Sequence, residues 1–204
     1  MLDIKQFETI KKKHGGYASW AVWADTGEKP KSNMGDISIF DLEANKTLLD
    51  ILRNDVIMVG LNISRSFAES FRNFHDSNPR ANDYKIRYAF QNTAYYGAYM
   101  TDLIKNFEMV DSNDVRKHLK ANPALIEKSI DKFREEMQDL KYNRPVILAF
   151  GAAVYKIINE NVRNDEYSKL IKLTHYSHQI NKEKFKETVL NQIAIGTSCT
   201  NLSA

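Results

Sequence analysis

A chain of 204 residues is long enough for one domain with its own core, and 43% hydrophobic with 27% charged side chains is a globular balance that excludes general disorder. A net charge of +3, from 29 basic and 26 acidic side chains, neither demands nor opposes a nucleic-acid partner, so any basic surface has to come from local clustering. One cysteine, Cys199, excludes an internal disulfide framework and implies a reducing, cytoplasmic setting.

Residues 1–16 mix lysines with scattered apolar residues and lack the continuous apolar stretch of a signal peptide. Both tryptophans lie in Tyr17–Asp25, which reads as a strand or arm sealing the domain; Trp20 and Trp23 fall on opposite faces if it is extended. Asp25–Asp36 is dense in turn formers and predicts a loop, which sets off an N-terminal arm of about residues 1–36 within a single domain covering 1–204. Helical character is expected over Asn45–Leu52 and Phe67–Phe74. Further on it is expected over Asn113–Lys120, Pro123–Leu140, Ala152–Asn161 and Lys182–Ile193. The clearest of these is Pro123–Leu140, where Asn122 can cap, Pro123 suits the first turn, and apolar residues recur at steps of four and three.

Four segments read as strands buried on both faces: Val56–Gly60, Gly97–Thr101, Val146–Phe150 and Leu170–Thr174. The apolar runs are too short to span a bilayer, so no membrane association is expected. Strands alternating with helices predict a three-layer α/β/α domain around a central four-stranded parallel sheet. Such sheets bind ligands beyond the C-terminal ends of their strands, which would gather Asn62, Asp102 and His175 although they are distant in the chain.

Phosphate loops, dinucleotide fingerprints, nucleophile elbows and paired-cysteine motifs are all missing. His175 and His178 have no cysteine or carboxylate cluster beside them, so neither a metal nor an organic cofactor is expected. What stands out is Gly60-Leu61-Asn62 after the first strand and His175-Tyr176-Ser177-His178 after the last. Between them lie Asn73-Phe74-His75-Asp76 and the strand Gly97–Lys105. In this order the residues resemble the uracil-DNA glycosylase superfamily over about Asp55 to His178. The resemblance implies a uracil-DNA glycosylase-like fold, DNA as partner and hydrolysis of the N-glycosidic bond of a modified or mismatched base.

Under that resemblance Asn62 positions water at the sugar and His175 stabilises the departing base as a preorganised donor. Phe74 and His75 belong to the loop that stacks on an extruded base, and Asp102 reads its edge. Ser64, Lys105, Ser177 and His178 are the expected nucleic-acid contacts, helped by the basic excess of Arg65, Arg72, Arg80, Lys85 and Arg87. The pattern departs from the family where Ile63, Tyr176 and His178 replace prolines. It departs again at Asp102, which stands where some members carry Asn, and an ionised Asp only accepts hydrogen bonds. Each residue also has a structural reading: Asn62 closing a turn, Phe74 in the core, His175 buried, the arginines on a solvated face. The alternative function is a catalytically weak or inactive nucleic-acid-binding or interaction module on the same scaffold.

Overall fold

Along β2 (Arg53–Asn62) successive side chains go to opposite faces, and this period of two builds two separate cores. In the computed structural model Ile57, Val59 and Leu61 join one hydrophobic cluster, whereas Val56 and Met58 join the other. The structure describes residues 2–63, 65, 67–105, 107–109 and 112–198, with the side chains of 112, 113 and 116 left aside. Ser64 and Cys199 therefore lie outside the described residues.

The remaining elements are α1 (Ile4–His14), β1 (Ala18–Trp20), a 3-10 turn at Ser38–Phe40, α2 (Leu48–Ile51), α3 (Asp83–Phe90) and β3 (Ala98–Ile104). After them come α4 (Ser112–Ala121), α5 (Pro123–Asp139), β4 (Val146–Phe150), α6 (Ala152–Asn161), β5 (Lys169–Leu173) and α7 (Lys182–Ser198). Helices α1, α4, α5 and α6 supply Phe7, Val115, Phe133 and Ile158 to the first core, while α3 and α7 supply Ile86, Phe90, Phe185 and Val189 to the second. The chain is thus an α/β fold with helices on both faces of its sheet. None of the described helices is long and apolar enough to cross a membrane.

The sheet has five strands in the order β1-β3-β2-β4-β5. Strands β2 to β5 pair in parallel, but β1 pairs antiparallel with β3, Ser19 opposite Met100. The sheet is therefore mixed and five-stranded where the sequence predicts four parallel strands. At three residues, β1 is too short to show alternation, and all three are buried. It lies on the edge and places Trp20 in the first core, with Trp23 beyond it in the second. The N-terminal segment is built into the fold by this strand and by α1, which buries Phe7 and Ile10 completely.

Helix α5 follows its predicted pattern, but Asn122 does not cap it; its amide turns back to the His118 carbonyl at 2.9 Å. Residues 67–74 are not helical. Phe71 and Phe74 each sit at φ 64°, outside the right-handed helical region, and the Phe71 N–H goes to the Gly15 carbonyl at 2.8 Å. The helix of this region starts later, at Asp83.

Going from β2 to β3 the chain moves to one side of β2, and β4 then returns to the other. Loops leaving the C-terminal ends of β2 and β4 diverge at such a reversal and leave a crevice between them.

Candidate functional site

A cavity of about 670 Å³ lies in that crevice. Leu61 and Asn62 from the end of β2, Gly151 to Val154 at the start of α6, and His175 to Ser177 after β5 all line it. Arg65, Asp76, Arg80 and Asp83, from the long connection between β2 and α3, complete the wall. The size is that of a pocket for a small heterocycle and its sugar.

Asn62 has a fixed orientation. Its Nδ2 donates to the backbone carbonyls of Ile63 (2.9 Å), Phe107 (3.1 Å) and Met109 (2.8 Å). With the amide nitrogen saturated by carbonyls, Oδ1 is the branch left to accept from a ligand or water.

His175 is oriented from its other edge. The Ser177 backbone N–H donates to Nδ1 at 3.1 Å, and the Ser177 hydroxyl stands 2.8 Å from the same atom. A nitrogen that receives an N–H must carry a lone pair, so the ring proton resides on Nε2. Partial burial lowers the imidazole pKa to about 4. At neutral pH the residue is an uncharged Nε2–H donor. Its ring stacks on Tyr176 at 4.3 Å, and Gly151, at φ 94°, keeps the facing backbone close to the imidazole.

The same cavity is lined by an acidic pair that the sequence reading did not single out. Asp76 is ion-paired with Arg65, while its N–H donates to Asp83 Oδ2 at 3.0 Å. Asp83 is 8% exposed and has no salt-bridge partner among the described residues. Burial, aided by the charges of Asp76 and Asp102, raises its pKa to about 7. Beside Asn82, an Asp at the start of a helix reads as helix-start chemistry, which concealed its place in the cavity.

Three other expected residues lie elsewhere. Phe74 is 2% exposed, belongs to the second core and is not among the cavity-lining residues. Tyr176 does line the cavity, and its ring meets Phe74 edge-on at 6.5 Å. Of these two rings the one at the cavity is therefore Tyr176, not Phe74, with His175 stacked on it. His75 is fully buried, with Nε2 at 2.8 Å from the Val22 carbonyl and Nδ1 at 3.0 Å from that of Asn73, so it reaches no ligand.

Asp102 is also interior. Its Oδ2 accepts from Asn73 at 2.8 Å, and its Oδ1 is buried beside Gly60 with no hydrogen-bond partner among the described residues. A side chain at position 60 would collide with that oxygen. Burial raises the Asp102 pKa to about 6. Asp102 does not line the cavity; Asp76 and Asp83 are the carboxyls that do.

The expected phosphate contacts divide. Lys105 is buried: it forms an ion pair with Glu136, donates to Thr101 Oγ1 at 2.8 Å and lies 4.5 Å from the Tyr17 ring centre. It stabilises the interior and cannot meet a phosphate. Ser177 is exposed at the cavity, while the exposed His178 offers its carbonyl to Lys85 at 2.9 Å and does not line the cavity. The basic stretch is largely used inside the fold. Arg87 is 2% exposed and holds the carbonyls of Pro30 and Ser32, each at 2.8 Å. Arg72 grips Gly35, and Arg65 grips Asp76. Arg80 remains exposed at the cavity wall.

Helix α6 also opens on the cavity. Its first turn has no side-chain cap, and Gly151 to Val154 at that turn line the cavity. The described residues contain no group of three or more His, Cys, Asp or Glu arranged to hold a metal ion.

The site can thus accept from water at Asn62, donate from an uncharged His175, stack on Tyr176 and exchange a proton at Asp83. Comparison of the chain with protein-family models, with curated proteins and with solved structures finds no match.

Proposed function

We propose that this chain is a DNA N-glycosylase-like hydrolase that cleaves the N-glycosidic bond of a modified or mismatched base. The observation that carries the reading is that Asn62 and His175, from opposite ends of the chain's parallel block, line one cavity. The parallel pairing of β3, β2, β4 and β5 supports the reading, since the resemblance implies a parallel sheet.

Cleaving this bond develops positive charge on the sugar and negative charge on the departing base. Asn62 Oδ1 orients the water that attacks C1′. His175 Nε2–H donates to the base as its charge grows, and an uncharged donor does so without having to lose a charge of its own. Tyr176 stacks on the extruded base, which has to leave a duplex to reach any such cavity. Arg80, Ser177 and the start of α6 hold flanking phosphates.

A second reading is favoured by one specific contact. The Tyr176 ring packs on Phe74, and neither Phe74 nor Asp102 is accessible from the cavity. A base could not reach the stacking and edge-reading residues of the resemblance, which favours a binding module with little or no turnover.

Single- and double-stranded oligonucleotides carrying uracil, hypoxanthine, xanthine or mismatched thymine, scored for abasic sites by alkaline cleavage, separate the two. Strand scission that Asn62→Ala or His175→Ala abolishes supports the enzyme. Salt-sensitive binding without scission supports the module.

A further inference from the structure

We infer that Asp83 is a catalytic proton donor, delivering its carboxyl hydrogen to a ring nitrogen of the departing base. The inference rests on the glycosidase reading above and names the part that neither Asn62 nor His175 can play.

Asp83 opens α3 and lines the cavity. One oxygen is anchored by the Asp76 N–H at 3.0 Å, which fixes the group, and the side chain is more than nine-tenths buried. The neighbouring charges are unequal. Arg65 is committed to Asp76, and Asp102 on β3 adds a second negative neighbour. Tyr176, after β5, is a half-buried phenol whose pKa is raised by desolvation and by the charges of Asp102 and Asp83, so it stays uncharged. Lys85, on the helix of Asp83 itself, donates to the His178 carbonyl. Among the described residues Asp83 thus forms no ion pair of its own, and burial, with the charges of Asp76 and Asp102, raises its pKa to about 7. A carboxyl in this state gives up a proton at neutral pH more readily than a neutral imidazole does.

The step balances as follows. The C1′–N bond breaks and its electron pair goes to the base. The Asp83 proton passes to a basic ring nitrogen, so the base leaves neutral and Asp83 is left as carboxylate. Water held at Asn62 forms the new C1′–O bond and releases its proton to solvent, and Asp83 takes one back from solvent. A purine meets this need best, because its imidazole ring offers an acceptor nitrogen away from the pairing edge. Uracil has less to gain, since it leaves as a stable anion that His175 already serves.

The test is single-turnover base release by the full chain from hypoxanthine- and uracil-containing strands between pH 5 and 9. For hypoxanthine the rate should be level at low pH and fall about tenfold per unit above pH 7. Asp83→Asn should slow hypoxanthine release about 100-fold or more and flatten that limb, slow uracil release less than about tenfold, and Asp83→Glu should restore part of the pH dependence. Far-UV dichroism of each variant verifies that it is folded. Hypoxanthine release by Asp83→Asn with unchanged rate and limb overturns the assignment, as does a wild-type rate that rises through pH 7. In both cases the glycosidase reading stands. No base release by the wild-type chain from any strand overturns that reading and this assignment together.

Discussion

The Ser177 backbone N–H donates to His175 Nδ1 at 3.1 Å and thereby decides which imidazole nitrogen faces a ligand as a donor. Two residues apart in sequence, the pair forms a tight turn whose hydrogen bond does the work of tautomer selection. The ring needs no carboxylate behind it, and none raises its pKa.

The first prediction concerns that imidazole. With a folded pKa of about 4 against 6.5 for the free side chain, His175 binds fewer protons folded than unfolded. Its contribution to stability is present above pH 6.5 and is lost as the pH falls through 4. Nitrogen-15 and carbon-detected NMR titration should give a midpoint near 4 and an Nε2–H tautomer at neutral pH. A midpoint near 6.5 would show that the ring is not held as described.

Asn62 supports a second, less intuitive prediction. Asp is the better base, but Asn62→Asp puts an anion where an NH₂ group now serves three carbonyls. The substitution should destabilise the fold by about 3 kcal/mol, more than Asn62→Ala, and should not raise turnover. Chemical denaturation at neutral pH ranks the two variants.

Asp83 makes stability depend on pH in the opposite sense to His175. Its folded pKa, about 7 against 3.8, means the folded chain binds more protons across that interval. The associated stability is full below pH 3.8 and is gone once the pH has risen through 7. Asp83→Asn removes the cost of burying the charge and should be more stable than the wild type at pH 8 by roughly 2–4 kcal/mol, with the gap closing at pH 5. Equal gaps at both pH values would mean that the carboxyl is not buried as described.

Lys105 provides a structural control. Paired with Glu136 and 7% exposed, it should not contribute to nucleic-acid affinity. Lys105→Met leaves Glu136 buried without its cation, with the Tyr99 hydroxyl still donating to it at 2.7 Å, and should cost about 3–5 kcal/mol, while Lys105→Met with Glu136→Gln, which keeps an acceptor for Tyr99, should recover much of the loss. The salt dependence of oligonucleotide binding should be the same for the double variant and the wild type. Arg80→Ala, by contrast, should reduce it.

The layered fold was legible because β2 and β4 contain apolar runs and α5 carries a clean helical period, whereas β5, with Lys172 exposed, is not buried on both faces as its sequence predicts. Asn62 and His175 could be placed together because strand ends converge in a parallel sheet whatever their separation in the chain. What was hidden had local causes. The short β1 carries no alternation, and Phe71 and Phe74 interrupt a helical pattern through positive φ angles that an apolar period cannot reveal. Burial of Arg87 and of Lys105 was hidden too, because their partners are backbone carbonyls and one distant glutamate. Asp83 was overlooked since its chemistry comes from depth in the cavity wall, not from its neighbours in sequence.

The most direct test of a shared role for Asn62 and His175 is a double-mutant cycle on single-turnover base release, using Ala at each position and at both. Two groups acting on one bond predict that the double variant loses little more than the worse single variant. Losses that multiply in full, or single variants as fast as the wild type, would contradict a common reaction at the two residues.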